Sequence, residues 1–273
     1  MLNGRLSPNV TTYIPSIATS FNMKIPARFS ALLMVSAAFV SLSSIVNAAP
    51  SPLHVLFLGH DSLHHNSNVY YPMLRDALAP DSIEVEYTTK VDSLTADNLQ
   101  KYDAVLLYAN HAKITPEQFT ALNDFVESGH GFVPIHCASA CFGQNSDFVR
   151  LVGARFKSHK TGVFSASIVK AEHPVMQGLS PYETWDETYV HVNHNEEGRT
   201  ILMERVDGDV REPWTWVRDQ GRGRVFYTAS GHDERTWKDV GFQKLLRNGV
   251  LWAVGDTRRG EWELYRTTGL KKP

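Results

Sequence analysis

Cysteine is scarce in this chain: there are two in 273 residues, Cys137 and Cys141, spaced C-x3-C directly after an apolar run. That count excludes a disulfide-scaffold protein. The pair is either a local bridge or simply two buried thiols on one turn, the commoner arrangement. Acidic residues are absent from the first 49 positions, which carry Arg5, Lys24 and Arg28. Within that stretch Met23–Arg28 is a short basic start, Phe29 to Val46 is an apolar run diluted with serine, and Val46-Asn47-Ala48 is a small-residue exit. This is the pattern of a secretory signal peptide cut after Ala48, with residues 1–22 a possible spurious extension. The rival reading, an uncleaved anchor, needs a run near the lower length limit for spanning a bilayer. Removing residues 1–48 lowers Lys+Arg from 27 to 24 against 29 acids, so the formal net charge moves from −2 to −5. A mildly acidic exported chain is a poor nucleic-acid binder. No second long apolar run follows, so no membrane contact is expected after cleavage. The chain also lacks internal repeats, low-complexity linkers and signs of a second independent domain.

Familiar catalytic signatures are missing too. There is no G-x-G-x-x-G, no G-x-x-x-x-G-K-[ST], no G-x-S-x-G and no H-E-x-x-H, which removes the main support for dinucleotide, phosphate-loop, serine-hydrolase and zincin readings.

What the chain does have is alternation. His54–Gly59, Asp103–Ala109 and Gly131–Ile135 are short continuous apolar runs, the mark of strands buried on both faces of a parallel sheet. Ile83–Thr89 alternates as a strand. Val69, Met73, Leu74 and Leu78 recur at helical spacing, and Thr115-Pro116-Glu117-Gln118 places a cap and an N1 proline before a helix bearing Phe119, Leu122, Phe125 and Val126. The order predicts a doubly wound, mostly parallel α/β domain. Strands are further expected at Val163–Val169, Ile201–Val206, Trp214–Val217 and Gly223–Ala229, with a last helix from about Trp237 to Val254. The tail beyond Asp256 has no strong pattern.

Twelve histidines are many for this length, and several fall where strands end, which is where open α/β sheets bind ligands. His60 ends the first strand and leads to Asp61, His64 and His65. Asn110 and His111 follow the third strand, His136 ends the Phe132–Ile135 run, and His232-Asp233 follow Val225–Ala229. A second cluster, Trp185-Asp186-Glu187-Thr188-Tyr189, puts two carboxylates between aromatics. It suits sugar hydroxyls, general acid–base work or metal ligation alike.

The ordered segments Gly131–His136, Leu151–Phe156 with His159, His173–Leu179, Asp186–Tyr189, Gly223–Asp233 and Asn248–Ala253 resemble the ThuA-like (trehalose-utilisation) family, over nearly all of residues 53–256. The resemblance implies the class I glutamine amidotransferase-like, flavodoxin-like three-layer fold. It also implies carbohydrate metabolism, with a sugar or keto-sugar as partner. In that superfamily a nucleophilic cysteine sits on a tight turn, flanked two residues away by small residues. Here His136 takes the place, with Pro134 and Ala138 at the flanks, so cysteine-dependent glutamine hydrolysis is not expected. Carried over residue by residue, the resemblance implies His136, His232, Asp186 and Glu187 as catalytic residues and His60, His159, Tyr189 and Asp233 as substrate-binding ones, and Trp216 is expected beside them as a further substrate-binding residue. His173, before Pro174, reads as a turn element. Two mechanisms fit the same residue types: imidazole and carboxylate as general base and acid, or the same groups holding a divalent metal ion. A non-catalytic carbohydrate-binding protein is the alternative, and for it Trp185, Trp214, Trp216 and Tyr189 are the expected exposed contacts.

Overall fold

The computed structural model describes residues 50–269, so the expected leader over 1–48 lies outside the described residues. Chain order is β1 (Leu53–Leu58), α1 (Ser67–Leu78), β2 (Ile83–Thr88), α2 (Ala96–Leu99), β3 (Ala104–Leu107), α3 (Pro116–Glu127), β4 (Gly131–Pro134), α4 (Ser146–Val152), β5 (Arg155–Ser158) and β6 (Thr161–Ile168). Then come β7 (Glu183–Glu187), β8 (Val190–Val192), β9 (Arg199–Asp207), β10 (Val210–Gln220), β11 (Gly223–Thr228), α5 (Glu234–Trp237), α6 (Val240–Ala253) and α7 (Asp256–Thr268). A nine-stranded sheet runs β2-β1-β3-β4-β11-β10-β9-β6-β7. Its first five strands are mutually parallel, and the remaining four extend it antiparallel. β5 and β8 form a separate two-stranded ribbon.

The parallel half explains where the site lies. β1 passes to β2 in one direction along the sheet, whereas β3 passes to β4 in the other. Right-handed crossovers then put α1 and α3 on opposite faces. The reversal leaves a crevice at the carboxyl ends of β1 and β3, the switch point of a doubly wound sheet. β1, β3 and β4 are buried almost throughout, as their unbroken apolar runs require. Thr115 and Gln118 form a reciprocal capping box on α3, with Pro116 at its first turn.

Gly59 ends β1 because nothing larger fits: a Cβ there would lie 2.4 Å from the Ser67 hydroxyl. That hydroxyl accepts from the His60 N–H and donates to the His60 carbonyl, tying the loop after β1 to the start of α1. The tail differs from expectation, since residues from Asp256 form helix α7. Its only buried side chain is Trp262, whose indole N–H donates to the Asp81 carbonyl at 2.7 Å, and Arg258 pairs with Asp103. One buried anchor among charged neighbours makes no apolar periodicity, so pattern reading has no signal for this helix. Both cysteines are buried free thiols. No helix among the described residues is long and apolar enough to cross a membrane.

Candidate functional site

Four imidazoles converge on one carboxylate. Glu187, the last residue of β7, has Oε2 3.2 Å from Nε2 of His136 and 3.4 Å from Nε2 of His65. Its Oε1 lies 3.2 Å from Nδ1 of His232 and 3.4 Å from Nδ1 of His159. Each comes from a different element: His65 from the loop after β1, His136 from the turn after β4, His159 from the turn after β5, and His232 from the turn after β11. Of these side chains His65, His159 and Glu187 border a cavity of about 460 Å³, whose walls also include Asn110, Phe156 and Tyr189, while His136 and His232 stand behind Glu187, outside that lining. A larger concavity of about 660 Å³ beside the β10–β11 turn contains none of these histidines and lies at the opposite, amino end of β11.

The backbone at this site is strained. His136 has φ 48° and His65 φ 57°, the left-handed region that non-glycine residues seldom occupy. Each costs on the order of 1–3 kcal/mol and persists only where the surroundings over-determine it. For His136 the surroundings are explicit. Its Nδ1 lies 2.6 Å from the Ala229 carbonyl, and Gly231, at φ +133°, lets the neighbouring turn approach so closely that a Cβ there would sit 3.3 Å from that of His136.

These contacts set proton positions. Nδ1 of His136 faces a carbonyl and therefore carries a hydrogen, and Nε2 faces a carboxylate oxygen of Glu187 at 3.2 Å. That pair can share a proton or, with Nε2 unprotonated, offer both atoms to a metal ion. Nδ1 of His232 is buried, close to Glu187 yet off-axis for a hydrogen bond, and has no other partner. Ligand atoms of His65, His136, Glu187 and His232 all lie within 4.8 Å of one another. Three imidazole nitrogens and one carboxylate oxygen are a donor set for a borderline divalent ion. Burial works against charge on Glu187, but the close imidazoles of His136, His232 and His65 outweigh it and hold the carboxyl well below the usual carboxylate range. Burial pushes His65 down to about 4. His232 is also desolvated, yet Glu187 raises it above the ordinary imidazole value.

The other expected residues divide. Asp186 is fully buried and spends its oxygens on the backbone N–H groups of Gly231, His232 and Glu187 and on the Thr236 hydroxyl. It therefore stands behind the site as a tether. Burial raises its pKa, opposed by His136 and by those donors. His60 lines the cavity with both ring nitrogens engaged, accepting from the Asn110 N–H and facing the His65 carbonyl. Tyr189 stacks on His136 at 4.2 Å and forms a wall. Asp233 caps α5 and pairs with Arg235, away from the cavity lining.

Trp216 is a correction: it is completely buried, donating to the Val152 carbonyl and stacking on Tyr227 at 4.1 Å. Trp214 is equally buried and Tyr189 nearly so, which leaves Trp185 as the half-exposed member of the expected aromatic contacts, with Arg235 over its ring at 3.7 Å. His173 caps the turn that follows it. His65 is a site residue that sequence reasoning does not single out. Its signal is membership of the histidine-rich loop after β1, but only the fold distinguishes it from His64.

The family model described as ThuA, trehalose utilisation, matches residues 54–253. No curated protein matches the chain. Among solved structures, a ThuA-like protein from Parabacteroides merdae is 22% identical, with a TM-score of 0.66 over 75% of this chain and 90% of that one. A ThuA-like protein from Bacteroides uniformis is 18% identical, with a TM-score of 0.64 over 76% and 94%. A cytoplasmic protein from Salmonella typhimurium is 14% identical, with a TM-score of 0.54 over 74% and 99%, a likeness of fold alone. With a family match across 200 residues, from 54 to 253, this chain belongs to the ThuA (trehalose utilisation) family.

Proposed function

We propose that this protein is an exported enzyme acting on a sugar or keto-sugar glycoside, with His65, His136, His232 and Glu187 holding a divalent metal ion. The observation that carries this reading is the ring of imidazoles on Glu187, in which Nε2 of His136, oriented by the Nδ1 contact to Ala229, and the unpartnered buried Nδ1 of His232 point toward the same carboxylate. When bound, such an ion polarises a sugar carbonyl or hydroxyl oxygen and acidifies what is attached to it. His159, on the open side of Glu187, is placed to accept or return the proton. Tyr189 and Phe156 offer aromatic faces, and Asn110 and His64 offer polar edges, a lining that suits a sugar ring. The family's description as trehalose utilisation agrees with that substrate class. The Phe29–Ala48 pattern supports export. A cysteine mechanism has little to work with, because Cys137 is fully buried and burial pushes its thiol well above the ordinary value.

The test is direct. Chelated protein beginning at Ala49 is titrated calorimetrically with Zn(II), Mn(II) and Co(II), and trehalose and its singly oxidised keto derivatives are then assayed with and without metal. One equivalent of metal should bind, Glu187→Gln should weaken it at least about 100-fold, more than a typical outer-shell substitution does, and turnover should need the ion. Absence of any site-specific binding, or equal binding by Glu187→Gln, would overturn the metal assignment. Tight sugar binding without product would replace the enzyme by a binding protein.

A further inference from the structure

Beneath His136 runs a buried chain of polar side chains that the chemistry above leaves unused. Oε1 of Glu212 accepts from the backbone N–H of His191 at 3.0 Å and from its Nδ1 at 2.9 Å. Nε2 of His191 lies 3.0 Å from the Tyr227 hydroxyl. That hydroxyl is in turn 3.0 Å from the His136 carbonyl and 3.0 Å from Oγ of Ser139, whose own hydroxyl reaches the same carbonyl at 3.1 Å. Glu212, His191, Tyr227 and Ser139 are all buried. A carboxylate and an imidazole at such depth are costly to desolvate, and apolar side chains of similar volume would serve stability as well. What this chain reaches is the main chain of the one site residue that is both left-handed and completely buried.

We propose that Tyr227, oriented by His191 and Glu212, is a positioning residue for His136: its hydroxyl holds the His136 carbonyl, fixes the left-handed backbone and so aims Nε2 at Glu187. The inference rests on His136 belonging to the site, and it extends that reading to three residues outside the cavity. Tyr227 has one proton, which goes to the His136 carbonyl when both ring nitrogens of His191 donate, Nδ1–H to Glu212 and Nε2–H to the Tyr227 oxygen; with the Ser139 hydroxyl on the same carbonyl and the His136 ring giving Nδ1–H to Ala229, backbone and ring are pinned independently. Outer-shell partners of this kind govern how well a histidine binds metal.

Tyr227→Phe deletes the hydroxyl and keeps the ring that stacks on Trp216. Glu212→Gln is a gentler second variant, and Asn248→Ala, which removes buried hydrogen bonds to the Val175 and Gln177 carbonyls, controls for lost stability alone. Two properties are read: Co(II) affinity with its visible absorption bands, and the 15N signals of the histidine rings in metal-free protein. Tyr227→Phe should bind Co(II) about 10–100-fold more weakly, shift the bands and move the His136 ring nitrogens. Glu212→Gln should do the same to a smaller degree, and Asn248→Ala should lower the melting temperature without either change. Wild-type affinity and unmoved His136 signals in folded Tyr227→Phe would overturn the proposal, and if that variant does not fold, the same result in Glu212→Gln would. Should the wild type bind no Co(II), the metal assignment fails and the ring signals alone decide the positioning role.

Discussion

At the scale of single residues, the site's chemistry follows from which nitrogen of each histidine is already occupied. His60 and His136 are both deeply placed, but His60 spends both ring nitrogens on the backbone, whereas His136 spends one there and turns the other to Glu187. His65 supplies a pH test. Its folded value of about 4 lies below the ordinary 6.5, so between those limits the unfolded chain takes up a proton that the folded chain refuses. Stability of the metal-free protein should therefore fall as pH drops through that window, with a limiting slope of about 1.4 kcal/mol per pH unit. His60, lowered by burial, acts in the same direction, whereas His232, raised by Glu187, acts above 6.5 and with the opposite sign. Urea denaturation across pH 4–7 checks this, and His65→Asn should flatten the slope. An unchanged slope would remove His65 as its source.

At the scale of elements, the turn after β11 is the part that must be held. Asp186 in β7 does so by binding the N–H groups of Gly231 and His232 and the Thr236 hydroxyl of α5. Asp186→Asn keeps the size but exchanges an acceptor oxygen for a donor, and should cost about 2 kcal/mol or more in stability. It should weaken metal binding as well, since His232 is on the same turn. Denaturation and Co(II) titration on one sample measure both, and lost affinity at full stability would mean that Asp186 touches the ligand itself. Elements are legible in the sequence wherever one residue class repeats. The capping box of α3 and the apolar runs of β1, β3 and β4 are readable, while the face of α1 is readable over its second half and not at its start. Spacing puts its stripe through Val69, Met73, Leu74 and Leu78; Leu74 and Leu78 are fully buried as expected, but at the start of the helix Val69 is exposed and Tyr70 takes the buried place, stacked on Trp237 at 5.4 Å. The β5–β8 ribbon, of four and three residues, is too short to register.

At the scale of the whole molecule, the site joins distant pieces of chain: His65 and Glu187 are 122 residues apart, and His136 and Glu187 are 51 apart. A bound ion therefore ties together loops from both halves of the sheet, and an ion that binds only the folded chain stabilises all of it by mass action. At 100 times Kd the gain is about 2.7 kcal/mol. Calorimetric scans should show the melting temperature rising with Zn(II) in the wild type and standing still in Glu187→Gln. A rise of equal size in both would place the ion elsewhere.

Sequence by itself determined the alternating α/β order, the family and the carboxyl-end placement of His60, His136 and His232, because buried parallel strands read as apolar runs and a chain leaving such a strand must emerge at the ligand-binding edge. Only the tertiary structure decided which of those side chains meet. It separated Glu187, which faces the histidines, from Asp186 one residue earlier, because successive residues of a strand point to opposite faces. It put Trp216 in the core rather than at a sugar, and it brought in His65 and the Glu212–His191–Tyr227 chain, whose convergence depends on folding contacts that no local spacing encodes.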